Sequence, residues 1–147
     1  MATQYESARL ILELYNLRRE ATMREARSFW ITFNPETVED LMAGMASPNG
    51  GYVRMVISYW DMVASIVNRG LINDELFFES NGEIWVVWDR MRAVVPTWRT
   101  AFKNPHLFGN IEDACKRLEM WREKRSPGST AAMRQMMIQM QAKNKGI

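Results

Sequence analysis

A chain of 147 residues, 47% hydrophobic and 24% charged, has the size of one domain and can bury about two-thirds of the surface its unfolded form exposes. Cys115 is the only cysteine, which excludes an intramolecular disulfide and a cysteine-based zinc cluster. The longest wholly apolar stretches, such as 84–88, fall far below the ~20 residues a membrane span needs, and the start MATQYESARL has no signal-peptide run. The expectation is a soluble, cytoplasmic protein with no transmembrane segment.

Residues 4–31 contain neither Gly nor Pro, and Ala8, Leu12, Tyr15, Thr22, Ala26 and Phe29 fall at helical spacing. That predicts one long first helix. Asn34-Pro35 ends it, and Asn34 is placed to cap a short second helix, with Pro35 at its first position and Glu36, Glu39 and Asp40 near its positive end. The stretch SPNGG, 47–51, reads as a loop. From about 52 to 69, Arg54, Ser58, Asp61, Ser65, Asn68 and Arg69 form one polar stripe about 100° wide, and every other position is apolar or aromatic. So wide an apolar arc must pack on more than one neighbour, which makes this the central helix of a bundle, ended by Gly70.

The next stretch, ELFFESNGEIWVVWDR (75–90), reads two ways. Asn81-Gly82 between apolar runs is a strong hairpin signal. Yet Phe77, Asn81, Ile84, Trp88, Met91, Val95, Trp98 and Phe102 recur at alternating spacings of four and three straight through the supposed turn. A lone two-stranded ribbon is marginal in water. The expectation is therefore a long helix over about 74–102, capped by Asn73 or Asp74 and kinked at Pro96. Ile111, Ala114, Cys115, Leu118 and Trp121 mark a fifth helix, and 126–129 (SPGS) is a linker by composition. Beyond it, Met133, Met136, Met137 and Met140 stand at i, i+3, i+4 and i+7. The predicted architecture is all-α: a five-helix, bundle-like domain over 1–125, followed by a linker and a Met-rich tail over 126–147. Residues 1–115 carry 11 basic and 15 acidic side chains and residues 116–147 carry 8 and 2, so the tail is basic.

The aromatic-rich central segment YWDMVASIVNRGLINDELF, then Trp88, Pro96 and Arg99 in WDRMRAVVPTWR, and Trp121 near the end of a further helix resemble a family of small, uncharacterised bacterial helical proteins, a domain-of-unknown-function group. The resemblance spans roughly residues 5–125. It implies a compact helical domain with no established activity, often beside a membrane anchor. This chain departs in showing no anchor and in carrying Asp61 where the family tends to have Glu.

Catalytic signatures are missing. A ferritin-like di-metal site needs Glu-x-x-His on two helices, and the one histidine, His106, sits in a proline turn. No Gly-x-Ser-x-Gly element or phosphate-binding glycine loop occurs. The expectation is a protein that is not an enzyme and holds no cofactor and no metal. Asp61, flanked by Ser58 and Ser65, is read either as a solvated or structural residue or as one side of a ligand cleft with Trp88, Arg92 and Arg99. Trp88 and Arg92, at i and i+4, are placed for a cation–π contact. Phe78 and Trp85 lie off the main stripe of their helix, so another helix or another chain must cover them. The sparse charges and lack of interleaved aromatics in the tail argue against nucleic acid, and methionines without Trp or Phe argue against a membrane surface. A Met stripe suits an adaptable apolar contact. The leading expectation is a protein-interaction domain forming a homodimer through Phe78 or Trp85 and the methionines, or meeting a separate protein partner. A small-ligand-binding or regulatory domain is the alternative.

Overall fold

The computed structural model describes residues 2–144. Among them every regular element is helical: α1 (Gln4–Arg18), α2 (Ala21–Thr32), α3 (Val38–Ala46), α4 (Gly50–Asn68), α5 (Asp74–Ser80), α6 (Glu83–Met91), α7 (Val95–Ala101), α8 (Gly109–Arg125) and α9 (Ser129–Asn144). The all-α expectation holds and the count of five does not, because the first expected long helix is broken in two, the fourth in three, and the segment expected as a tail carries α9. No hairpin forms at Asn81-Gly82.

α4 is the central helix. Val53, Val56, Ile57, Trp60, Val63, Ala64 and Val67 are buried, and α2, α3 and α8 pack around it. Each large apolar side chain so buried contributes roughly 1.5–3 kcal/mol. The residue at the start must be glycine, because a Cβ at Gly50 would stand 1.9 Å from the Met45 carbonyl oxygen. It ends as expected at Gly70, whose φ of 74° is left-handed. Gly70 N–H donates to Val67 O (2.9 Å) and Leu71 N–H to Ile66 O (3.3 Å), the paired bonds of a Schellman motif.

The single helix expected over 4–31 is two helices. Arg19 ends the first and Glu20 caps the second: the Glu20 carboxylate accepts from the amides of Thr22 (3.0 Å) and Met23 (2.9 Å). Glu is not among the usual capping residues, so the break leaves no trace in the composition. The inward face of α1 is also not the expected one. Ser7, Leu14 and Arg18 are buried, whereas Leu12 and Tyr15 are exposed. α3 starts later than expected, with Thr37 rather than Asn34 as its cap. The Thr37 hydroxyl accepts from Asp40 N–H while Asp40 accepts from Thr37 N–H, both at 3.1 Å, in a capping box.

The helix expected over 74–102 is α5, α6 and α7. Asn73 caps α5, accepting from Leu76 N–H at 2.9 Å. Asn81 ends it with φ −129°, ψ 47° and is almost wholly buried. Its amide donates to Phe77 O (3.1 Å) and its Oδ1 accepts from Arg18 Nη1 (2.9 Å). Pro96 stands in the first turn of α7 and so begins a helix instead of kinking one. Residues 126–128 form a tight turn, and α9 lies back against α8. Glu123 on α8 fixes that turn by accepting from the amides of Gly128 (2.7 Å) and Thr130 (3.2 Å). Among the described residues no helix is long and apolar enough to cross a membrane.

Candidate functional site

Three features converge where α2, α6, α8 and α9 meet. The first is a set of arginines fixed to helix ends. Arg27 on α2 donates through Nε to both carboxylate oxygens of Glu83 on α6 (3.0 Å each), and its Nη1 reaches the Arg18 carbonyl that ends α1 (3.3 Å). Arg90 on α6 is 8% exposed and donates to the carbonyls of Trp30, Ile31 (2.8 Å) and Phe33 (2.9 Å). A cation at the negative end of a helix is favourable, and Arg90 occupies that place for α2. Burial still pulls its pKa below the ordinary value, with Asp89 opposing.

The second feature is a charge network over Trp85. Trp85 Nε1–H donates to Glu119 (2.7 Å), which also accepts from Arg92. Asp89 holds Arg134 of α9 through two bonds (3.1 and 2.7 Å) and lies 3.0 Å from Arg92. The guanidinium groups of Arg122 and Arg134 lie 4.7 and 5.5 Å from the Trp85 ring centre. Its bond to Asp89 raises the pKa of Arg134. Cys115 is fully buried, and desolvation pushes its thiol pKa up.

The third feature is a pocket of about 250 Å³ between α2, α6 and α9. Its apolar walls are Trp30, Ile31, Val86, Val87, Met137 and Met140, and its polar members are Arg27, Glu83, Arg90 and Gln141. Among the described residues no cluster of three or more His, Cys, Asp or Glu side chains could hold a metal ion.

The residues singled out from the sequence fall as follows. Phe78 and Trp85 are buried inside the chain, so neither is a free interface residue. Phe78 packs on Trp121 at 5.8 Å between ring centres. Asp61 and Arg99 do not pair. Asp61 accepts from Ile111 N–H (3.0 Å) and Asn110 Nδ2 (3.3 Å), closing the start of α8 from outside. Arg99 donates to Leu107 O (2.8 Å) and Glu112 (3.1 Å). Trp88 is buried, and Arg92 turns to Asp89 and Glu119 rather than to its ring. Among the described residues, the side chains of these four are engaged in separate contacts and not with one another. Of the methionines, Met137 packs on the core, while Met133, Met136 and Met140 are 37%, 59% and 52% exposed. Of the pocket residues, only Met137 and Met140 were singled out from the sequence, and as a partner contact instead of a pocket wall. The signal for the others was Arg90 itself, a charge at i+3 from Val87 and i−4 from Val94 on an otherwise apolar stripe.

The family model for a domain of unknown function, DUF4760, matches residues 4–118, and the chain belongs to that family. The matched span ends within α8, before α9 begins. No curated protein and no solved structure matches the chain.

Proposed function

We propose that this member of the DUF4760 family is a non-enzymatic interaction module that self-associates through the outer face of α9. One observation carries the reading. α9 turns Thr130, Arg134, half-buried Met137 and Gln141 inward, and leaves Met133, Met136, Ile138 and Met140 on its exposed side. A helix that shows more apolar surface to solvent than to its own domain is accounted for if a second surface covers it. Methionine side chains suit such a contact because they adapt to an irregular partner. The one charge in the middle of the helix, Arg134, is already held by Asp89, so two copies meet without strong repulsion. A symmetric pair uses the same stripe twice and needs no other protein. Phe78 and Trp85 have no part in it, since both are inside the chain. A cytoplasmic setting fits the single, unpaired cysteine.

Sedimentation velocity at micromolar concentration is expected to show a dimer. Met136→Glu is expected to give a monomer with an unchanged circular dichroism spectrum, because the residue is exposed. A wild type that is monomeric throughout that range refutes the reading.

A further inference from the structure

The pocket between α2, α6 and α9 has a chemical character beyond that of a packing defect. An apolar cavity of about 150 Å³ stays dry and accepts benzene. At about 250 Å³, this one has room for an apolar body of about ten carbons by the same scaling. Two walls are rigid: Trp30 and Ile31 on α2, Val86 and Val87 on α6. The third, Met137 and Met140 on α9, consists of flexible thioethers that can close over different shapes.

The charges on the lining do not cancel. Arg27 is neutralised by Glu83 within the pocket wall. Arg90 is more than nine-tenths buried, makes no ion pair among the described residues, and has a buried Nε with no hydrogen-bond partner. Its bonds go to three neutral carbonyls. Its sequence neighbour Asp89 is engaged by Arg92 and Arg134. The lining therefore carries one net positive charge, on a guanidinium whose Nη1 is taken by the carbonyls at the end of α2 and whose Nε has no partner.

We infer that this pocket binds a small monocarboxylate with an apolar tail, of the size of a medium-chain acid, its carboxylate on Arg90 and its tail against Trp30, Val86, Val87 and the α9 methionines. One uncompensated cation selects one negative charge. A dianionic phosphate would leave a charge unpaired among apolar walls. The pocket shares Met140 with the outer α9 face, but Met133 and Met136 do not line it, so Met136→Glu tests association without altering the pocket and Val86→Phe tests the pocket without altering that face.

The test uses the full chain with octanoate, and with 1-octanol as its uncharged counterpart. Calorimetric titration is expected to show octanoate binding at least about tenfold more tightly, the difference that a single charge-assisted contact supplies. In a sample carrying methyl-labelled methionine, octanoate is expected to move the Met137 and Met140 signals and leave Met133 and Met136 in place. Val86→Phe, which fills the pocket from a partly exposed position, is expected to abolish binding with the fold intact; where that variant fails to fold, the methyl shifts locate the site by themselves. Equal affinity for octanoate and octanol, no octanoate binding at millimolar concentration, unmoved Met137 and Met140, or undiminished binding to a folded Val86→Phe chain would each overturn the inference.

Discussion

Asp61 is the residue whose replacement best tests how the helices are held together. It sits on α4 but acts on α8: its Oδ1 accepts from the amide of Ile111 at 3.0 Å and its Oδ2 from the side chain of Asn110 at 3.3 Å. Ile111 is the third residue of α8, so its N–H is one of the four at a helix start that have no partner within the helix. The local sequence supplies no cap, since Phe108 precedes the helix with a left-handed φ of 56° and no side-chain bond. Asp61→Asn keeps an acceptor and loses the negative charge at the positive helix end, which costs about 0.5 kcal/mol. Asp61→Ala also strands the Ile111 amide beside a fully buried side chain, and such an unmet donor costs about 1–3 kcal/mol; the half-buried position of Asp61 lets water soften this toward about 1.5 kcal/mol. With a urea slope of about 2 kcal/mol per molar, the unfolding midpoint is expected to fall by about 0.7 M in the Ala variant and about 0.2 M in the Asn variant. Urea titration followed by circular dichroism measures both. Equal losses in the two variants would mean that charge, not the amide acceptor, is what matters. A loss below about 0.3 kcal/mol in both would refute the assignment of Asp61 as the closure of α8.

Gly82→Ala is expected to stabilise the protein by about 0.4–1 kcal/mol in thermal unfolding, because Gly82 has the helical φ of −63°, its added Cβ meets nothing within 4 Å, and Ala narrows the unfolded ensemble; a clear destabilisation would mean that the α5–α6 junction needs glycine after all. The amides of Gly128 and then Thr130 hold the Glu123 carboxyl below the ordinary glutamate value of about 4.3. Its hold on the turn before α9 is therefore complete above that value and is lost as pH falls through the lower native pKa. Protection of the amides of residues 128 and 130, taken as their hydrogen-exchange rate relative to the intrinsic rate at each pH, is expected to fall over that acid window in the wild type and to be low already at neutral pH in Glu123→Ala.

The parts of this fold that could be read from the sequence are those where apolar periodicity decides the structure. The width of the apolar arc in 52–69 identified α4 as the central helix, and Gly70 marked its end because a left-handed residue is needed there. Asn73 as the cap of α5 was readable for the same reason, a short side chain reaching an amide three residues on. The inner face of α1 was not. Its contacts are polar: the Ser7 hydroxyl accepts from Asn73 N–H (3.0 Å), the Leu14 carbonyl accepts from Tyr59 O–H (2.7 Å), and Arg18 lies 5.0 Å from the Trp60 ring centre. A count of apolar residues therefore points to the wrong side of that helix. The candidate site was hidden in the same way, since Trp85 carries its polar end inward to Glu119. An aromatic off the main stripe leaves open whether another helix or another chain covers it, and here the cover is a partly buried ion network of α8 and α9.

These failures have one physical origin. Each helix leaves four amides and four carbonyls without partners inside it, so dividing the chain into many short helices multiplies the groups that must be satisfied from elsewhere. Some of them are met by side chains far away in sequence. Arg27 serves the end of α1, Arg90 the end of α2, Asp61 the start of α8, and Arg18 reaches Asn81 at the end of α5. A polar residue recruited in this way is buried against its composition, and it stands on helix faces that periodicity assigns to solvent or treats as an exception. Arg90 differs from the rest in one respect. Its acceptors are neutral carbonyls, so it satisfies the end of α2 without itself being neutralised. A buried cation left in that condition weighs on stability unless something returns the charge. The same residue that closes α2 is therefore the one that gives the pocket its preference for an anion.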